Sequence, residues 1–339
     1  MIARAQPRAQ RQPPPRSAAK RISIFNHKGG VGKTTLTFNI AASLADLGHR
    51  VLMVDADPQC NLSAYLIEPT VLDDLLDTSD DAVAGETLWS AVKPVVDGDG
   101  GVKSIDPIEI RDNLYLVPGD IRLSDFENKL ANYWIECWRR EAHGFKGTTA
   151  ISSLVNSICL AQQVEFVFFD TGPNIGALNR SILLDCDFFI VPVAYDLFSV
   201  RALRTLGRSL HDWISEWATI VAREGPRLAA LPGKPQFLGY IPQNYSVYRG
   251  GVASYQAKYV GALEKGIASD VVGVLRELGV VAERRVAKLG DVKDFGQLVP
   301  SSQREGNPLS ETSAGTPTQR SEAQQAFKQI AQRILQRTA

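Results

Sequence analysis

The stretch RISIFNHKGGVGKTTLTFNIAASLADLG, residues 21–48, constrains the fold more than any other part of the 339-residue chain. A short β-rich run, RISIFN, leads directly into a glycine turn, and TTLTFNIAASLADLG then has the pattern of a helix closed by Gly48. A glycine-rich turn that opens into a helix N-terminus aims several backbone N–H groups at one point, which makes an anion site. Strand, glycine loop, Gly-Lys-Thr and helix, in that order, are the context a phosphate-binding loop requires. Gly29, Gly30, Val31 and Gly32 supply the turn. Lys33 is then expected to reach the β- and γ-phosphates, Thr34 to set its hydroxyl on Mg²⁺, and Thr35 to bond the α-phosphate. Two features depart from the usual G-x-x-x-x-G-K-[ST] pattern. His27 stands where a glycine is expected, and a second lysine, Lys28, precedes Lys33 by five residues.

Further apolar runs follow at intervals: HRVLMVD, NLYLVPG, VEFVFFD, DFFIVPV and FLGYIPQ, with GVVAERRVA as a further expected strand. Helical patterns separate most of them. Strands that are apolar throughout and alternate with helices predict a mostly parallel sheet covered on both faces, a doubly wound α/β fold. In such sheets ligands bind at the carboxyl edge. VLMVDADPQ places Asp55 and Asp57 there, and VEFVFFDTGP places Asp170 at the end of another strand, where a carboxylate helps to hold Mg²⁺.

KGGVGKTT, DADPQCN and FFDTGP resemble the deviant Walker A, switch I and Walker B/switch II motifs of the ParA/MinD (Soj-like) family of P-loop ATPases, most of all its ParA-type partition ATPases. The likeness continues through VPGDIRLSDFE, DFFIVPVAYDLFSVRAL and, more loosely, VPSSQREGNPLSE, over about residues 21–337. The resemblance implies an ATP-sandwich homodimer in which Lys28 reaches the phosphates of the partner's nucleotide. Charge agrees with that role: two triphosphates brought face to face, and the transition state of phosphoryl transfer, both need a cation. By the same resemblance Lys28, Lys33 and Asp57 are catalytic, with Asp57 orienting the attacking water. Thr34, Asp55, Asp57 and Asp170 surround Mg²⁺, and Asn61 and Pro173 are switch residues. Pro242, Gln243 and Asn244, after a later strand, are candidate contacts of the adenine of ATP.

The family further implies binding to non-specific DNA as the ATP dimer, and slow hydrolysis stimulated by a ParB-like or other protein. That cycle segregates or positions plasmid, chromosome or protein cargo. The alternative is a nucleotide-gated regulatory switch that recruits or restrains an effector without using DNA as a track. No surface for DNA is legible. RELGVVAERRVAKLGDVKDF offers Arg284, Arg285, Lys288 and Lys293, with acidic residues mixed in, and Lys+Arg and Asp+Glu balance at 37 each over the whole chain.

The four cysteines form no C-x-x-C pair and, with four scattered histidines, no zinc or iron–sulfur spacing. The iron–sulfur relatives of the family are therefore excluded. Residues 300–339 contain no tyrosine, whereas the tyrosine kinases of the superfamily carry a C-terminal tyrosine cluster, so that relative is not the expectation. No apolar run approaches the ~20 residues of a membrane span. The expectation is a cytoplasmic protein, nucleoid-associated when ATP-bound, without stable membrane insertion.

Residues 1–20, rich in Pro, Arg, Gln and Ala, are expected to be a disordered basic arm, and 21–339 one ATPase domain with insertions near 86–111 and 245–270. The first insertion has a loop-like sequence. The second, with Tyr245, Tyr248, Tyr255 and Tyr259 near Arg249 and Lys258, suits base stacking, a partner interface or plain packing. Trp134/Trp138 and Trp213/Trp217 each share one helix face, which suits core packing or a docking patch. SEAQQAFKQIAQRILQRTA forms an amphipathic helix, to be packed on the sheet or laid on a membrane.

Overall fold

The computed structural model describes residues 16–224, 229–245, 247–248, 251–252, 254–280 and 287–339. The strands are β1 (Lys20–Ile24), β2 (Val51–Ala56), β3 (Ile108–Arg111), β4 (Leu114–Val117), β5 (Phe166–Thr171), β6 (Phe188–Ala194), β7 (Gln236–Tyr245), β8 (Val247–Tyr248), β9 (Gly251–Val252) and β10 (Val292–Lys293). Eight of them form one sheet in the order β10-β7-β6-β1-β5-β2-β4-β3, and β8 pairs with β9 apart from it. All neighbours in the large sheet are parallel except β3 and β4.

The helices are α1 (Lys33–Asp46), α2 (Asn61–Leu66), α3 (Pro69–Asp77), α4 (Leu88–Val96), α5 (Leu123–Trp138), α6 (Ala142–Thr148), α7 (Ala150–Gln162), α8 (Ala177–Asp185), α9 (Leu197–Glu224), α10 (Ser254–Gly266), α11 (Val274–Glu277), α12 (Leu298–Glu305) and α13 (Pro317–Thr338). A π-helical stretch, Ile267–Gly273, joins α10 to α11.

Successive side chains of a strand point to opposite faces, and both faces are covered. Ile22, Ile24, Met53 and Phe168 pack with Leu36 and Ile40 of α1 and with Phe327 and Ile330 of α13. Leu52, Val54, Val167 and Phe169 pack on the other side with Leu130, Leu154 and Ile182. β2 and β5 are buried along their whole length, which is why they appear in the sequence as uninterrupted apolar runs. The fold is the expected doubly wound one, and α13 lies on α1 rather than presenting its apolar face to a surface.

Two local expectations change, and a third falls outside the described residues. The 86–111 segment is loop-like only in part: Thr87 caps α4 through a reciprocal bond with Ser90, and Leu88, Trp89, Val92 and Val95 are buried. Pro94 inside the helix and the DGDGG run after it hide this helix from pattern reading. Order also begins before residue 21. Arg16 pairs with Asp187 at 2.6 Å and the Ser17 N–H donates to Asn156 Oδ1 at 2.5 Å; residues 1–15 lie outside the described residues. Of the strand expected in GVVAERRVA, residues 281–286 lie outside the described residues, among them Arg284 and Arg285. Among the described residues no helix is long and apolar enough to cross a membrane.

Candidate nucleotide site

Three strand ends build the site. β1 runs into the glycine loop, and the register of β2 on β5 sets Asp55 beside Asp170 and Ala56 beside Thr171. Within the loop Gly30 and Gly32 have φ of 70° and 67°, a left-handed conformation that disfavours any side chain. Gly32 also has no room for one, because an added Cβ would stand 2.4 Å from Gln243 Oε1. His27 is not among the positive-φ residues, so the position where the usual pattern has glycine does not require one here. Asn26 shapes the approach, donating to the Pro192 carbonyl at 2.8 Å and accepting the Lys28 N–H at 3.0 Å. Leu36 N–H donates to Gly32 O at 2.9 Å and starts α1.

The loop lines a cavity of about 420 Å³, which also takes in Asp57, Asn61, Tyr65, Thr171, Pro173 and Gln303. Lys33 enters it almost buried. Burial pushes its pKa below the ordinary lysine value, against the opposing pull of Asp170 and then Asp57. Asp57 is fixed by its neighbours: Oδ1 accepts the Gln59 N–H at 3.0 Å and Oδ2 accepts from Asn61 Nδ2 at 3.4 Å.

Asp170 and Asp55 stand side by side but differ in kind. Neither carboxylate oxygen of Asp170 has a hydrogen-bond partner in bonding geometry among the described residues, and both are buried. Burial first, then the Asp55 charge, pushes its pKa up to about 8, while the Thr34 hydroxyl, close at hand, and the Lys33 ammonium pull the other way. A cation placed there would remove that cost. Asp55 is already satisfied. Its Oδ2 accepts the Ser63 N–H at 2.8 Å and the Ser63 hydroxyl at 2.7 Å, and its Oδ1 accepts the Asp57 N–H at 3.2 Å. Burial still raises it to about 6. Asp55 therefore ties the start of α2 to the sheet, beside Asp170.

No group of three or more His, Cys, Asp or Glu among the described residues could by itself hold a metal ion. The donors present fit a hard cation that takes most of its ligands from phosphate oxygens and water, with Thr34 and Asp170 beside it.

Lys28 lies at the rim. Its Nζ donates to Asp196 Oδ2 at 2.5 Å and to Ser199 Oγ at 3.1 Å, at the β6–α9 junction. Burial would raise the Asp196 carboxyl, but the bonds from Lys28 and Ser199 outweigh it and hold the pKa below the usual carboxylate value. Pro242, Gln243 and Asn244 lie in β7; neither Pro242 nor Gln243 lines the cavity, and the side chain of Asn244 lies outside the described ones. Gln243 is buried and its Nε2 donates to the Val31 carbonyl at 2.6 Å, so it props the loop from beneath.

Tyr65 and Gln303 are cavity residues that motif reading did not single out. Gln303 sits in the loosely matched VPSSQREGNPLSE segment, and Tyr65 meets that segment through a 2.5 Å contact with Ser302 Oγ.

Fold and site together define a P-loop α/β protein of the ParA/MinD type, with two lysines in its loop. The chain belongs to the AAA domain family (AAA_31), whose model matches residues 19–219. It is 29% identical to the sporulation initiation inhibitor protein Soj of Bacillus subtilis over 195 residues, 55% of this chain and 63% of Soj. The chain spans about 55% to 63% of the length of its leading curated relatives. Among solved structures, DIP2308 of Corynebacterium diphtheriae superposes with a TM-score of 0.67 at 27% identity, covering 85% of this chain and 97% of that one. McdA of Cyanothece, in complex with ATP, shares the fold with a TM-score of 0.60 at 19% identity, covering 94% of this chain and 96% of McdA.

Proposed function

We propose that the chain is a Mg²⁺-dependent ATP hydrolase of the ParA type, which dimerises on ATP, binds DNA without sequence preference and hydrolyses ATP slowly until a protein partner stimulates it. Such a cycle segregates or positions plasmid, chromosome or protein cargo, and sets the chain in the cytoplasm, on the nucleoid while ATP is bound. The observation that carries the nucleotide reading is Asp170, a buried carboxylate with unpartnered oxygens close to Thr34 and Lys33, which line the glycine-loop cavity. Family membership supports the rest of the cycle.

In this reading the loop N–H groups and Lys33 hold the triphosphate, and Thr34 and Asp170 hold Mg²⁺. The ion supplies positive charge against the charge that develops on the phosphoryl oxygens. Asp57, fixed by Gln59 and Asn61, accepts a hydrogen bond from the attacking water and aims it at the γ-phosphorus. The bond from that phosphorus to the bridging oxygen breaks, leaving ADP and phosphate. Lys28, released from Asp196, serves the partner subunit's site, where a cation offsets charge in the dimer and in the transition state.

The test is binding of a mixed-sequence DNA duplex at moderate salt with ATP–Mg²⁺ and with ADP–Mg²⁺, beside ATP turnover. Binding with ATP alone that weakens as salt rises supports the proposal. Turnover without DNA binding in either state overturns the DNA cycle in favour of a regulatory switch, and absence of nucleotide binding overturns the whole reading.

A further inference from the structure

Helix α9 carries Arg201, Arg204 and Arg208 at i, i+3 and i+7, a spacing that sets them along one face. All three are exposed, while Leu203 and Leu206 between them and Leu210 after them are buried. From Leu197 to His211 the helix has no acidic residue; Asp196 precedes this stretch and Asp212 follows it. Asp212 of α9 and Asp270 of the π-helical stretch share a shallow groove with Arg204 and Arg208, yet among the described residues none of the three arginines makes an ion pair. The basic residues suggested by sequence are different: Lys288 is paired with Asp291 and Lys293 with Glu322. Protein surfaces ordinarily intersperse charges of both signs, and a row of arginines without ion-pair partners costs self-repulsion.

We infer that this face of α9 is the DNA-binding surface, with Arg201, Arg204 and Arg208 on successive phosphates of one strand. The inference rests on the proposal that the chain binds DNA. The seven steps from Arg201 to Arg208 rise by about 10 Å along the helix, a reach that the long arginine side chains extend over neighbouring phosphates of one strand. Arginine suits the task, because its fork bonds phosphate oxygens in pairs without reading a base. The face is also wired to the nucleotide. Asp196 and Ser199, which hold Lys28 of the glycine loop, sit at the start of the same helix, a few residues before Arg201. Moving Lys28 on dimerisation therefore acts on the helix that carries the arginines.

The test measures anisotropy of a labelled mixed-sequence duplex from 50 to 200 mM salt, with ATP–Mg²⁺, for three full-length proteins. They are the wild type, R201A/R204A/R208A, and the control K129A/K234A/K328A, which removes the same charge from exposed lysines elsewhere. ATP binding by each variant checks that it is folded. The expected result is at least tenfold weaker binding by the arginine variant, a log–log salt slope lower by about 2–3, and near wild-type behaviour of the control. Unchanged affinity and slope in the arginine variant overturn the location and leave DNA binding standing. Equal losses in both variants overturn it too, since net charge alone would then decide. A wild type that binds no DNA in any nucleotide state fails one level earlier and removes the proposal together with its premise.

Discussion

Lys28 Nζ lies 2.5 Å from Asp196 Oδ2 although 168 residues separate the two in the chain. The bond joins the glycine loop to the start of α9, and Ser199 shares the ammonium at 3.1 Å. The lysine that the proposed dimer would send to a second subunit is thus held within its own. Since both side chains are partly exposed, the pair contributes about 0.2–1 kcal/mol, small enough for dimerisation to break.

Replacing either partner separates the two uses of this lysine. Lys28→Ala is expected to keep ATP binding and to lose hydrolysis, by tenfold or more, in a single-turnover assay; wild-type turnover would remove the trans role. Asp196→Ala frees Lys28, so the ATP-dependent dimer is expected at roughly two- to fivefold lower protein concentration, in proportion to the energy of the lost pair. Sedimentation with ATP–Mg²⁺ reads this directly. A dimer weakened by that substitution would mean that Asp196 belongs to the interface.

Asp170 gives a pH prediction of definite sign. Its folded pKa, about 8, lies above its unfolded value of 3.8, so the unfolded chain ionises first. The resulting penalty is absent below the unfolded value, grows as pH rises between the two, and is complete above the folded one. Asp170→Asn removes it. Without nucleotide, the variant is expected to melt at the wild-type temperature near pH 4 and roughly 2–6 °C above it at pH 8. It is also expected to lose Mg²⁺-dependent ATP hydrolysis. Equal melting at both pH values would show that Asp170 is not destabilised by its own charge.

The parts of this site that are local in sequence are legible in it. A left-handed turn needs glycine, so Gly30 and Gly32 are visible, and a carboxylate that closes an apolar strand stands out at the sheet's carboxyl edge, so Asp55 and Asp170 are too. What distant segments do to each other is not. Nothing near Gln243 announces that its amide will meet the Val31 carbonyl, and Tyr65 finds Ser302 across 237 residues. Spacing put each tryptophan pair on one face but could not say what that face meets. Trp134 stacks on Trp217 with centroids 5.2 Å apart, while Trp213 is buried near Phe25 and Trp138 stays partly exposed. Packing thus takes three of the four tryptophans and leaves Trp138 alone for a docking patch.

Gln243 is where resemblance and geometry suggest different roles, base contact against loop support. Because its Nε2 is engaged by Val31 O and its Oε1 occupies the space beside Gly32, Gln243→Ala removes a buried bond worth about 1 kcal/mol. A looser phosphate loop is expected to weaken ATP, ADP and GTP alike, by roughly three- to tenfold. Titration with the three nucleotides decides: a loss confined to adenine nucleotides would return Gln243 to the base.

Ser63 tests whether Asp55 is a structural anchor. The serine gives Asp55 an N–H and an O–H bond, and its oxygen also accepts the Gly119 N–H at 2.8 Å. Ser63→Ala keeps the first bond and removes the other two. These bonds favour the ionised carboxylate and offset part of the burial that lifts Asp55 to about 6. Losing one lifts the folded pKa further, and the extra penalty applies only where the carboxyl would otherwise be charged. The substitution is therefore expected to cost about 1–3 kcal/mol at pH 8 and distinctly less at pH 5, where Asp55 is already largely protonated in the folded chain. Urea unfolding at the two pH values measures both. A loss that does not depend on pH would assign the cost to the Gly119 bond and to packing, and would leave Asp55 free for another role at the metal.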